Sequence, residues 1–375
     1  TGIGKITNNN LFNNNNGGYI SNGFEVINNA TFNNNNNSTF FNDNVLDNSG
    51  TITNNGLVEN GAYINNLAAG VFTNTVAGVF DNQLGSELRN DGSFTNLGTI
   101  DSEGDLIINA GGTLTNENLL FSQTNGTIQN HGTFNNNNTI QNFDIVVNHP
   151  GGNFQNTGVI TIENGQVTNN GDFHNIGRLT NELELVNNAN LYNPGTIENG
   201  VRIFNNGYFE NTGYLLNIGD FDNNVTGNFT NSGAIDNNDG GIITNYGEFN
   251  NSNEIFNNFC SSFVNEVSGI INNTSWITNK SLFWNFGVIN GNQVMNMFGG
   301  VVITGPTSTE VCESVTANLD GNGETLILGT SIAVSQFDTC ATLSFYVDDL
   351  DEITFTCADK GPNLVTLKIE DRKGN

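Results

Sequence analysis

The stretch Phe154-Gln155-Asn156-Thr157-Gly158-Val159-Ile160-Thr161-Ile162-Glu163-Asn164-Gly165-Gln166-Val167-Thr168-Asn169-Asn170-Gly171-Asp172-Phe173 holds one period of the chain. It says one phrase three times: an apolar residue, any residue, Asn, and usually Gly two places on. Phe154/Asn156/Gly158 is the first statement and Val167/Asn169/Gly171 the third. The second, Ile160 to Gly165, is stretched by an apolar pair, so that Asn164 stands as its Asn. Phe173 then starts the next period. Working outward, the opening phrase recurs at Phe12/Asn14, Phe32/Asn34, Ile52/Asn54, Phe72/Asn74, Phe94/Asn96, Leu114/Asn116, Phe134/Asn136, Phe173/Asn175, Leu191/Asn193, Phe209/Asn211, Phe229/Asn231 and Phe249/Asn251. A short fixed period is the mark of a supersecondary unit stacked on copies of itself.

Alternation places the apolar residue and the Asn on one face of a strand and the residue between them on the other. Three strand-and-corner phrases in a coil of roughly 20 residues predict a right-handed parallel β-solenoid over residues 1–304. The core ladder is read from Phe94, Leu114, Phe134, Phe154, Phe173, Phe209, Phe229 and Phe249, with Ile, Leu and Val on the other two faces. The Asn ladder is read from Asn96, Asn116, Asn136, Asn156, Asn175, Asn211, Asn231 and Asn251. An inward carboxamide carries donors and an acceptor, so it can satisfy corner backbone groups and its own copy in the next coil. A ligand-binding role would need the Asn rows to face outward, against their shared parity with Phe. Gly after Asn is expected to supply the positive φ of a tight corner.

The period is expected to break after Phe249, leaving 250–304 as an irregular end rich in aromatics. Phe256, Phe259, Phe263, Trp276, Phe283, Trp284, Phe286 and Phe298 crowd there. Such an end suits a cap or a docking surface for a neighbouring domain. Cys260, within it, reads as a buried small hydrophobe. Asn thins out after residue 305, where Gly305-Pro306-Thr307-Ser308 reads as a linker. Residues 305–375 then carry short alternating runs, with Asp320-Gly321-Asn322-Gly323 as a hairpin turn. They predict a small β-sandwich, so the fold class is all-β throughout.

The tail also carries a resemblance. Cys312, Val315-Thr316, Leu319-Asp320-Gly321-Asn322-Gly323, Asp338-Thr339-Cys340, Thr354-Phe355-Thr356-Cys357-Ala358-Asp359-Lys360-Gly361, Val365-Thr366-Leu367 and Asp371-Arg372-Lys373-Gly374-Asn375 make up a series of short motifs. Together they resemble the immunoglobulin-like, hyalin-repeat-like modules of giant surface adhesins from Bacteroidetes-type bacteria. The likeness covers about seventy residues, a typical size for a small domain. It implies secretion and adhesion or matrix roles. Such modules continue past Gly-Asn with a further strand bearing another Cys, so this sandwich is read as lacking its last strand. The resemblance then implies a Cys340–Cys357 disulfide and leaves Cys312 without its usual partner. The solenoid is similar in kind to Asn/Gly-rich adhesin stalks.

A net charge of −28 with only nine basic residues disfavours a phosphate-binding surface. No apolar run is long enough to span a bilayer. No charged-then-apolar leader precedes Thr1, so a secretion signal is expected to be absent from this chain. Cysteines concentrated near one end suit an oxidising compartment, outside the cell or on its surface. His131, His149 and His174 lie in different coils without a partnering carboxylate or Ser at motif spacing, and no phosphate loop, zinc spacing or nucleophile elbow occurs. Arg89, Arg178 and Arg202 are too few for a polysaccharide-lyase groove. The chain is therefore read as a non-enzyme without cofactor. The acidic run Asp348, Asp349, Asp351 and Glu352 is a weak Ca²⁺ candidate beside the reading of a solvated turn. Both chain ends read as unfinished, which suggests head-to-tail homopolymers with strand donation to the open sandwich. The expected function is a structural subunit of an extracellular filament. The alternative is a segment of a long adhesin binding glycans or other cells. An ice-binding solenoid ranks last, because the outward positions Thr95, Thr115, Asn135, Gln155, His174, Tyr192, Glu210 and Thr230 are mixed.

Overall fold

A computed structural model of the chain describes residues 5–297, 300–304, 315–320, 322, 324–329, 344–359 and 361–370. Residues 5–304 wind into a β-solenoid with one strand per coil in each of three parallel sheets. Sheet A has 16 strands, from Lys5–Asn8 to Val301–Thr304. Sheets B and C have 15 each, from Leu11–Asn14 to Val288–Gly291 and from Tyr19–Asn22 to Met295–Asn296. Fifteen coils at the ordinary inter-strand spacing make a rod about 70 Å long.

Each strand is the phrase itself. In Asn153–Asn156, Phe154 and Asn156 are buried, whereas Asn153 and Gln155 face out. The register holds like against like: Phe134 pairs with Phe154 and Phe154 with Phe173. Their rings stack at 4.6 and 4.7 Å, tilted by 7° in each case. Burial of each Phe contributes roughly 1.5–3 kcal/mol, so this column is the main apolar term. Leu and Ile from the other sheets fill the remaining cross-section, and one continuous core runs from Val26 to Phe283.

Three readings of the sequence change here. First, the period does not break after Phe249. Phe263, Ile271, Ile277 and Phe283 continue the buried core, and Asn265, Asn273 and Asn279 continue the buried Asn positions. The phrase was hidden because its outward positions turn aromatic there: Phe256, Trp276 and Trp284. Second, Ile162 rather than Asn164 occupies the ladder place in its coil, between Asn142 and Asn181 in register. With Val159–Ile162 as the strand, Ile160 and Ile162 share the inward parity and Asn164 falls in the corner. Third, most corner glycines are set by crowding rather than by φ. At Gly158, Gly177, Gly195, Gly213 and Gly233 a Cβ would lie 1.9, 2.0, 2.1, 2.0 and 2.0 Å from a carbonyl oxygen of the coil below. Positive φ occurs at tips of wider corners, such as Gly17 (75°), Gly85 (79°) and Gly151 (85°), with open space around them.

In the tail, Glu324–Leu328 pairs antiparallel with Glu352–Thr356, and Ser344–Val347 with Leu367–Glu370. These two small antiparallel sheets are the described part of the sandwich. The expected Cys340–Cys357 bridge involves Cys340, which lies outside the described residues. Cys260, read as a small hydrophobe, is instead disulfide-bonded.

Candidate functional surfaces

The inward Asn residues do one job in all three corners, and sheet B shows it without interruption. From Asn14 to Asn273 each carboxamide donates Nδ2–H to the Oδ1 of its copy in the next coil, at 2.7–2.8 Å throughout. The second N–H goes to a backbone carbonyl at the start of a strand in that next coil, as from Asn54 to Val79 O at 2.9 Å. The corner backbone runs the opposite way. Thr75 N donates to Asn54 O and Leu97 N to Asn74 O, from the later coil to the earlier one. Side-chain and corner-backbone dipoles therefore oppose one another along the rod. Such an arrangement lets hydrogen-bond chains polarise each other without building a large net dipole. Asn96, Asn116, Asn136, Asn156, Asn175, Asn211 and Asn231 are fully buried and Asn251 nearly so. Phe94, Leu114, Phe134, Phe154, Phe173, Phe209, Phe229 and Phe249 lie beside them in the core. Neither row is open to a ligand.

The outward positions divide the surface into distinct zones. On sheet B they are Thr31/Asn33, Thr51/Thr53, Val71/Thr73, Ser93/Thr95, Thr113/Thr115 and Thr133/Asn135 in successive coils. This half of the face is uncharged, although the chain carries a net charge of −28. Beyond residue 172 the same face becomes Asp172/His174, Asn190/Tyr192 and Tyr208/Glu210. His174 stacks on Tyr192 at 4.6 Å. On sheet C, Glu59, Asp81 and Asp101 stand in register on three successive coils. Burial, then the Asp101 carboxylate, pushes the Asp81 carboxyl above its ordinary range.

At the aromatic end sheet A is covered. Val264, Leu282, Trp284 and Ile303, all at outward positions, form a second buried cluster, and Ile369 of the tail packs on it. The tail strand Leu367–Glu370 thus lies over the outer face of sheet A. Trp284 Nε1 is buried there without an acceptor among the described residues.

The titratable groups do not converge on a site. His131 and His149 occupy equivalent corners of adjacent coils and stack at 3.8 Å. Burial and the neighbouring His131 hold the His149 imidazole below its ordinary pKa. Among the described residues, no group of three or more His, Cys, Asp or Glu is placed to hold a metal ion. The acidic run is spent on a turn instead: Asp348 and Asp349 take positive φ, and Asp348 Oδ1 accepts from Thr366 N at 2.7 Å. Asp349 reaches Lys368 at 3.9 Å. That geometry replaces the Ca²⁺ reading of Asp348, Asp349, Asp351 and Glu352. No described helix is long and apolar enough to cross a membrane.

No family model and no curated protein matches the chain. Among solved structures it is similar to the TibC-catalysed, hyper-glycosylated TibA fragment, at 17% identity and a TM-score of 0.31, over 81% of this chain and 98% of that one. A score this low adds nothing to what the strand pairing itself establishes.

Proposed function

We propose that the chain is a load-bearing spacer of the cell exterior, a rigid rod that forms part of a filament or of a long adhesin, and that it is not an enzyme. One observation carries this reading. Every coil is joined to the next by three strands' worth of backbone hydrogen bonds and, at nearly every corner, by a buried side-chain ladder running parallel to the rod axis. Such a body resists extension and bending while offering its long faces to solvent. The Cys260 disulfide supports an oxidising, extracellular location. Among the described residues the strands Lys5–Asn8, Leu11–Asn14 and Tyr19–Asn22 pair on one side. A parallel edge is a template for another coil, whether that coil belongs to the same polypeptide or to a second copy. Negative-stain electron microscopy of the secreted native assembly tests the reading. Fibres with a width constant along their length support it, and compact isolated particles in native material oppose it.

A second reading rests on the uncharged half of sheet B. Its hydroxyl and amide columns, from Thr31 to Asn135, suit a neutral polyhydroxylated partner such as a glycan and give the adhesin alternative a surface. Replacing Thr53, Thr95 and Thr115 with Glu abolishes binding to cells or glycan arrays if that face is the contact. Binding that survives all three places the contact elsewhere. The same columns would be the face for ice binding, and unchanged thermal hysteresis in that variant removes that reading.

A further inference from the structure

A side-chain column at the corner that follows sheet C differs from every Asn row described above. Asp236, Asn258 and Lys280 stand on three successive coils, each next to a buried ladder Asn: Asn237, Asn257 and Asn279. Lys280 Nζ donates to Asn258 Oδ1 at 3.1 Å. Asn258 Nδ2, on the other side of the same amide, donates to Asp236 Oδ1. Tyr214 OH closes the far end of the column on Asp236 Oδ2 at 3.4 Å. Lys280 is one of two lysines in residues 1–304, in a chain with 37 acidic residues, yet it addresses an amide and makes no ion pair among the described residues. Its ammonium also lies over the Phe256 ring, 5.6 Å from the centroid, so one side of the group is held against an apolar surface.

The frame around these groups is rigid. The ladder bond from Asn257 to Asn279 measures 2.8 Å, and the Lys280 backbone N–H is fixed on Asn257 O at 2.8 Å. With Nζ at 3.1 Å from Oδ1, Cγ of Asn258 lies within about 4.3 Å of the nitrogen, given an ordinary C=O length. Holding an amine and an acyl carbon near contact replaces a bimolecular encounter with an intramolecular one, which raises effective concentration by orders of magnitude.

We propose that Lys280 and Asn258 form an intramolecular isopeptide bond, with Asp236 as the proton donor to the leaving nitrogen. The neutral amine adds to Cγ, making the Nζ–Cγ bond. Asp236, whose carboxylate accepts from Nδ2–H, takes up a proton from solvent and passes it to that nitrogen. The Cγ–Nδ2 bond breaks and ammonia leaves. Nζ sheds a proton to solvent, which balances the one that Asp236 took up, and the carboxylate is restored. Nothing is oxidised or reduced, and no cofactor is consumed. The product is a secondary amide that staples two adjacent coils close to the corner bearing Cys260, so this end of the rod would carry a covalent cross-link of each kind.

Intact-mass spectrometry of the full chain, reduced and denatured, tests the proposal. The expected mass is one ammonia below that of the sequence, trypsin does not cleave after Lys280, and peptide mapping returns a branched peptide joining the Asn258 and Lys280 segments. Lys280→Arg restores the sequence mass, and Asp236→Ala restores it or slows the loss of ammonia by at least tenfold. An unmodified wild-type mass with free tryptic cleavage after Lys280 overturns the proposal. So does ammonia loss that persists in Lys280→Arg, because that outcome assigns the loss to cyclisation of an Asn on its own backbone.

Discussion

The ladders of sheets B and C occupy equivalent corners, yet only the first is continuous. Sheet B keeps Asn in every coil from Asn14 to Asn273. Sheet C substitutes Ser102, Ser122 and Ile162 in three of four consecutive coils, Asn142 holding the other. The consequences are local. Asn82 still finds Ser102 Oγ at 3.1 Å. Ser122 Oγ and Asn181 Oδ1, by contrast, are buried without a partner among the described residues. Asn181 lacks its bond because the residue beneath it, Ile162, has no N–H to give. The contrast teaches what the carboxamide supplies: one donor upward, one acceptor downward, and a second donor for the corner, in a single side chain short enough to fit. A hydroxyl covers part of this and an alkyl group none.

Breaking the continuous ladder has the largest expected effect. Asn156→Ala orphans Asn136 Nδ2–H and Asn175 Oδ1 together, and it is expected to cost about 3 kcal/mol, since each buried unsatisfied group costs roughly 1–3 kcal/mol. Urea denaturation reads the loss, and hydrogen exchange at the flanking corners shows whether it is local. Next is Gly195→Ala, which drives a Cβ against Gly177 O and is expected to cost about 2 kcal/mol by overpacking. Repairing the interrupted ladder sharpens the comparison from the other side. Ile162→Asn gives Asn181 its donor and is expected to raise stability by about 1 kcal/mol, the net worth of a buried hydrogen bond. A loss of stability there would mean that the alkyl packing of Ile162 outweighs the orphaned oxygen.

A smaller effect is expected from pH. The folded state holds His149 below its unfolded pKa, so the neutral form is favoured by folding. Its contribution is fully present above about pH 6.5 and is lost as pH falls towards the depressed folded value. Urea midpoints followed from pH 7.5 to 5 should fall more steeply in wild type than in His149→Gln. The smallest effect belongs to the exposed ion pair Arg178–Glu198, which links adjacent coils at 2.5 Å. Its removal by Arg178→Ala is expected to shift stability by less than about 0.5 kcal/mol.

Much of this was legible in the sequence, for a physical reason. Alternation fixes which residues share a face, and the period fixes which residues stack. The Phe and Asn columns therefore follow from spacing alone. What spacing does not encode is distance between coils. The corner glycines look like φ residues until the carbonyl of the preceding coil is seen close to where their Cβ would be. Asn164 was misplaced because two candidates, Ile162 and Asn164, lie two residues apart and nothing local marks where the strand begins. The aromatic end looked irregular because Phe256, Trp276 and Trp284 fill outward positions that are more often polar elsewhere. Burial of Trp284 depends on the tail, whose Ile369 packs against it on sheet A. The Asp236, Asn258 and Lys280 column did leave a signal, since the three are spaced by 22 residues beside ladder positions. Its polar groups are ordinary in such a chain, however, and only their alignment singles them out.

Single-molecule extension of the chain between its two ends tests the load-bearing account most directly. A solenoid held by continuous ladders is predicted to lengthen in discrete, repeated steps. Each would release one coil of roughly 20 residues, about 65 Å of extended chain, and an isopeptide bond would withhold the coil between Asn258 and Lys280. Smooth extension at low force, without steps, would contradict it, because a chain that lengthens in that way is not held together by its ladders.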